Sequence, residues 1–151
     1  LRAISDIFAG KINNWQQVGG RDATIVVVTR EEGSGTRGAF VEMVMKGKAV
    51  SDAALVQDSN GAVREIVAND KYAIGYISLG LVDNRVKPMI VDGVNPTFEN
   101  VIKGFYILKR PFLLLGKIGT ECVLADSFIQ YVLSDQGQAS LASEGLIPIR
   151  Q

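Results

Sequence analysis

Thr29-Arg30-Glu31-Glu32-Gly33-Ser34-Gly35-Thr36-Arg37 is the stretch on which the reading of this chain turns. Before it lies Ile25-Val26-Val27-Val28, an apolar β-branched run that reads as a buried strand. After it, Gly38 to Met45 carries the apolar spacing of a helix. A strand, a Gly-Ser-Gly turn and a helix start make a place for an anion. The first N–H groups of a helix have no partner within it and carry partial positive charge. Glycine lets another group approach the backbone closely. Ser34 and Thr36 add hydroxyl donors, and Arg30 adds a fixed fork of N–H groups. The same small residues also serve as a plain N-cap, so both readings stay open at this point. The turn is not a nucleotide P-loop, because no Lys follows Gly35. Gly33, Gly35 and Gly38 do match G-x-G-x-x-G. A dinucleotide site also needs an acid ~20 positions on at a strand end, and Asp58, near that distance, lies in a polar stretch.

The chain has 151 residues, the length of one ordinary domain or a small domain with an appendage. Its apolar fraction of 47% suffices to fill a core. Lys plus Arg and Asp plus Glu number 16 each, so no general field draws it to nucleic acid or an anionic membrane. Any anion preference must be local. The absence of His and the single cysteine, Cys122, remove His-containing zinc sites, Ser-His-Asp and Cys-His catalysis, and an internal disulfide. Cys122 sits among apolar residues and reads as a small core residue. No apolar run reaches the ~20 residues of a membrane span. No signal peptide is visible, and Leu1-Arg2-Ala3-Ile4 reads as mid-chain sequence.

In chain order, residues 1–9 read as an amphipathic helix ended by Gly10, and Trp15 as an anchor to the core. Strand 25–28 leads through the turn to a helix over about 36–46, with Gly47 as its C-cap. Ser51 to Leu55 reads as a short helical turn. Ser59-Asn60-Gly61 starts a second helix over 62–68, capped by Ser59 or Asn60. As a helix start it is a weaker anion-site candidate, with simple capping as the alternative. Tyr72 to Ser78, Met89 to Val91 and Phe105 to Leu108 read as strands, and Thr97 or Asn95 starts a short helix through Val101. Pro111 keeps Arg110 extended. Residues 121–133 and 134–143 read as two closing helices. Strands alternating with helices over 25–109 predict an α/β fold, a central mixed sheet flanked by helices, with a C-terminal two-helix appendage.

The residues also carry a resemblance. Ile7 to Ile12 with Asn14-Trp15, Val28 to Arg37, Ser59 to Val63, Ala73-Ile74-Gly75-Tyr76, Arg110-Pro111, Gly137-Gln138, Gly145 and Ile147-Pro148 recur in that order. The chain resembles the later part of a phosphate-binding protein of the PstS type, the substrate-binding component of phosphate ABC importers and a periplasmic binding protein.

That resemblance implies two α/β lobes with phosphate between them. Residues 1–109 would be the second lobe, and 110–151 would be a crossing strand and C-terminal helices belonging to the first. The first lobe's N-terminal part, with its own Ser/Thr turn and acidic acceptor, has no counterpart here, so the chain looks like a fragment or truncated relative. Carried over residue by residue, Arg30, Ser34, Gly35 and Thr36 would bind phosphate. Glu32 would grip Arg30 and fix its fork, while Glu31 would face solvent. The implied function is phosphate binding without catalysis. It would be extracytoplasmic, in periplasm or at a cell surface with or without a lipid anchor. A permease and ATPase would be partners, and no cofactor or metal is implied. A homodimer through the C-terminal segment is expected from its apolar residues. Two other readings compete. One is a sensing or surface-display receptor lobe without a transport role. The other is an enzyme on phosphorylated substrates, which has only Glu31 and Glu32 as bases near Ser34 in sequence.

Overall fold

The computed structural model describes residues 1–117, 119 and 122–149. They form two compact units, residues 1–108 and 109–151.

The first unit is built on three strands, β1 (Val26–Arg30), β2 (Leu55–Gln57) and β3 (Ala73–Ile74), in the order β2-β1-β3. Both pairings are parallel, with Arg30 opposite Gln57 and Val27 opposite Ile74. The sheet is thus parallel where a mixed one was expected; among the described residues antiparallel pairing is confined to single bridges, Asn14 with Thr24 and Val91 with Val94. β1 runs two residues beyond the apolar run because pairing with β2 carries it to Arg30. The expected helical turn at Ser51–Leu55 is a single hydrogen-bonded turn, Ala54 N–H to Ser51 O (3.0 Å), after which β2 begins at Leu55. The chain leaves β1 for β2 on one side and then crosses to β3 on the other. In such sheets ligands bind at the carboxyl ends of the strands, beside that switch.

Helix α1 (Arg2–Phe8) ends where Gly10 takes φ +73°. Helix α2 (Gly35–Phe40) continues into a π turn, Val41–Met45, closed by Lys46 N–H to Val41 O (3.0 Å). Lys46, at φ 48°, is its C-cap, one residue before the expected Gly47. Helix α3 (Asn60–Asn69) is capped by Ser59, whose Oγ accepts from Ala62 N–H (3.1 Å). Helix α4 (Phe98–Ile102) is capped by Thr97 in the same way. Phe8, Ile25, Phe40, Val44, Met45 and Ile74 form the core with Ile7. Phe40 stacks on Tyr76 at 4.1 Å and 10°, and Phe8 lies against both rings. Trp15 is half-buried, and its indole N–H donates to Tyr72 O (2.9 Å), at the amino end of β3.

Three strand expectations shrink. Tyr72–Ser78 reduces to β3, Met89–Val91 to the Val91 bridge, and Phe105–Leu108 pairs with no strand among the described residues. β-rich composition makes a strand only where a neighbour takes up the backbone hydrogen bonds.

The second unit holds α5 (Val123–Leu133) and α6 (Asp135–Ser143). Ser134 joins them: its Oγ donates to Tyr131 O (2.6 Å) and accepts from Gly137 N–H (3.2 Å). A Cβ on Gly137 would collide with the Tyr131 carbonyl and Val132. Gln138 is buried; its amide donates to Val132 O (2.8 Å) and accepts from Ile149 N–H (2.9 Å). Thr120 and Glu121, expected at the start of α5, lie outside the described residues. Cys122 is exposed and not a core residue, because it precedes a helix whose first apolar side chains, Val123 and Leu124, are themselves exposed. Among the described residues no helix is long and apolar enough to cross a membrane.

Candidate functional site

Arg30 is the last residue of β1, at the carboxyl edge of the sheet. The chain then reverses in a tight turn, with Ser34 N–H donating to Glu31 O (3.3 Å) and Gly33 at φ +86°. A side chain resists that φ, so the glycine is required by the turn. Ser34 follows as the N-cap of α2; its buried Oγ accepts from Arg37 N–H at 3.2 Å. The first bond of the helix is Gly38 N–H to Ser34 O (2.9 Å). The N–H groups of Gly35 and Thr36 precede it and belong to the unpaired first turn. Ser34 retains its hydroxyl proton, and Thr36 retains a hydroxyl at the same end.

The Arg30 side chain is only 11% exposed. Its Nε donates to Glu31 Oε2 (2.8 Å), and its Nη2 to Glu31 Oε1 (2.9 Å) and Asp58 O (3.3 Å). Its Nη1 donates to Asn60 Oδ1 (2.9 Å). A guanidinium has five N–H groups. These four bonds therefore leave one N–H, on Nη1, without a partner among the described residues. The pairing holds the Glu31 carboxyl below its ordinary pKa, chiefly through the hydrogen bond from Arg30, and raises Arg30 in turn. Arg37 closes the loop from the other side, its Nη1 donating to Arg30 O (2.6 Å).

Glu31, not Glu32, is thus the acid that grips Arg30. Glu32 is exposed at the tip of the turn. The resemblance places the gripping acid at Glu32, two residues after Arg30; here the strand ends at Arg30 and the turn carries Glu32 away.

The second helix start is brought to the same edge. Asn60 accepts from Arg30 and donates from Nδ2 to Ser78 Oγ (3.3 Å). Ser59 serves as the cap of α3. A Cβ on Gly61 would meet only Ser59 Oγ, at 3.9 Å, so close packing does not demand a glycine there. Arg30 therefore touches both the turn into α2 and the start of α3. Tyr76 was not anticipated. Its hydroxyl lies 2.7 Å from Thr29 Oγ1 and accepts from Arg30 N–H at 3.2 Å. The signal that contained it was the Ala73-Ile74-Gly75-Tyr76 motif. Among the described residues no three His, Cys, Asp or Glu cluster to hold a metal.

Residues 1–136 match the PBP superfamily domain. The chain belongs to the PBP superfamily. Among PBP-superfamily relatives, it is 43% identical over 135 residues to phosphate-binding protein PstS 2 of Streptococcus agalactiae, covering 83% of this chain and 46% of that protein. It is 35% identical over 148 residues to PstS of Bacillus subtilis, covering 97% and 49%. The chain spans about half the length of the curated relatives it matches. In structure it is similar to a protein from Clostridium perfringens described as a phosphate ABC transporter substrate-binding protein with bound phosphate. The TM-score is 0.88 at 43% identity, covering 99% of this chain and 62% of that one. An ABC-type phosphate transport receptor from Vibrio cholerae matches with a TM-score of 0.85 at 36% identity, covering 96% and 61%. The α/β architecture, a parallel sheet flanked by helices, is that of the PBP superfamily.

Proposed function

We propose that this chain carries one jaw of the phosphate site of an extracytoplasmic substrate-binding protein that serves an ABC importer, and that it binds its ligand without turning it over. The observation that carries the reading is the Arg30 fork, held at the carboxyl edge of the sheet between the starts of α2 and α3. The remaining Arg30 N–H, the Gly35 and Thr36 amides and the Ser34 and Thr36 hydroxyls are the donors for phosphate oxygens. Glu31 fixes the fork. Asn60 orients it from α3. In this reading residues 1–109 are one lobe and 110–151 the crossing and C-terminal helices of the other, with a permease and ATPase as partners. The names of the relatives support phosphate as the anion.

A charge-assisted hydrogen bond contributes about 1.5–3 kcal/mol net, and a helix start about 0.3–2 kcal/mol. Such contributions do not simply add. A millimolar site needs about 4 kcal/mol and a micromolar one about 8 kcal/mol. One jaw open to water belongs near the first figure. Phosphate at neutral pH still carries a proton that a carboxylate acceptor can select for, whereas sulfate carries none. With Glu31 already bound to Arg30, this jaw offers no free acceptor at the fork. Titration of the 151-residue chain with phosphate and then sulfate, followed by amide NMR shifts, is the test. We expect shifts at Arg30 and Ser34–Thr36, Kd values near millimolar for both anions, and loss of binding in Arg30→Ala. Micromolar, phosphate-selective binding would overturn the single-jaw reading. Silence at those amides would overturn phosphate binding by this edge.

A further inference from the structure

β3 stops at Ile74, yet β1 runs on to Arg30. In a parallel ladder the N–H groups of successive residues point to opposite neighbours. Glu31 N–H is taken by Gln57 O of β2 at 3.0 Å, so Arg30 N–H points toward the β3 side, where the ladder has already ended. A backbone N–H without a partner in that position destabilises the fold. Tyr76 fills the gap with a side chain: its hydroxyl oxygen accepts from Arg30 N–H at 3.2 Å. Its own proton is then available to Thr29 Oγ1 at 2.7 Å, and Thr29 is 2% exposed. The Tyr76 ring stacks on Phe40, the last residue of α2.

We infer that Tyr76 is a positioning residue of the anion site: its hydroxyl stands in for the missing strand ladder at Arg30, and its ring ties that strand end to α2. One side chain thereby sets the relative placement of the Arg30 fork and the helix start that follows it. Gly75 makes the placement possible. A Cβ there would lie 2.6 Å from Val63 Cγ1 and 3.3 Å from Val67 Cγ2, both on α3, so a side chain at 75 would push the segment carrying Tyr76 away from that helix. The geometry stands on its own, and its meaning for binding rests on the phosphate reading of Arg30.

The test uses Tyr76→Phe, which keeps the ring stack and removes the hydroxyl. Thr29→Val/Tyr76→Phe also removes the buried hydroxyl that the first change orphans. Two quantities are read by NMR on the 151-residue chain. The first is hydrogen exchange of the Arg30 amide without ligand, which should accelerate about tenfold in both variants while the α3 amide of Val63 is unaffected. The second is the phosphate Kd, which should rise about fivefold in both. The double variant should regain thermal stability but not affinity. Unchanged Arg30 exchange, or affinity that recovers with stability, overturns the inference and leaves Tyr76 a core residue. If the parent chain binds no phosphate, the functional reading fails, and the exchange measurement alone decides whether Tyr76 holds Arg30.

Discussion

Residues i and i+2 of a strand share a face, so Glu32 would lie beside Arg30 if β1 continued. It does not, and the turn from Glu31 to Ser34 hands the role to the adjacent acid. Glu31→Gln is therefore expected to lower the thermal midpoint slightly at neutral pH, and Glu32→Gln to leave it unchanged. The pH dependence has a definite sign. The folded-state pKa of Glu31 is depressed by Arg30, so its contribution is complete above the ordinary carboxylate pKa of about 4.3 and is lost as pH falls through the lower folded value. Melting curves of the parent chain and Glu31→Gln should converge on acidification. A constant gap at all pH values, or a larger effect from Glu32→Gln, would return the role to Glu32. Arg30 and Ser34–Thr36 were readable as a group because the turn, the cap and the helix start are local in sequence. Asn60 and Tyr76 reach Arg30 across 30 and 46 positions, and no local pattern encodes such a meeting.

Helix α3 lies close enough to the sheet that position 75 has no room for a side chain. The obstruction is Val63, which is 1% exposed and has little freedom to move. Gly75→Ala should cost about 1–3 kcal/mol of stability, and Val63→Ala added to it should recover part of that loss. Denaturant unfolding of the two single variants and the double variant measures the coupling; strictly additive effects would mean that the contact is not what limits position 75. The helices were legible where a capping side chain marked their start. Ser59 and Ser134 both do so, and α3 and α6 fall within two residues of their expected bounds; α5, whose start has no side-chain cap, was marked by its apolar spacing alone. The strands were less legible. β2 has three residues and owes its conformation to β1, whereas Phe105–Leu108 has strand composition and no described strand beside it.

The two units differ in how they treat apolar surface. In residues 1–108 the large side chains of Phe8, Phe40 and Met45 are buried. In the second, Phe112, Leu113, Leu115, Val123 and Leu124 are each more than two-thirds exposed, and Phe128 more than half. Apolar surface on that scale tends to be covered by a partner. We expect the chain on its own to self-associate through residues 112–131. Light scattering should show a dimer, and Leu115→Glu/Leu124→Glu should shift it toward monomer. A monodisperse parent monomer would count against this. The curated relatives are about twice as long as this chain.

Trp15 is the one tryptophan in the chain, and its indole is fastened to Tyr72 O, which also receives Val26 N–H (3.1 Å). These contacts lie at the amino edge of the sheet, at the other end of β1 from Arg30. Its fluorescence is therefore an optical gauge of whether that edge is intact. Melting and ligand occupancy consequently call for separate reporters, with the native indole serving the first and a dye placed near the carboxyl edge serving the second.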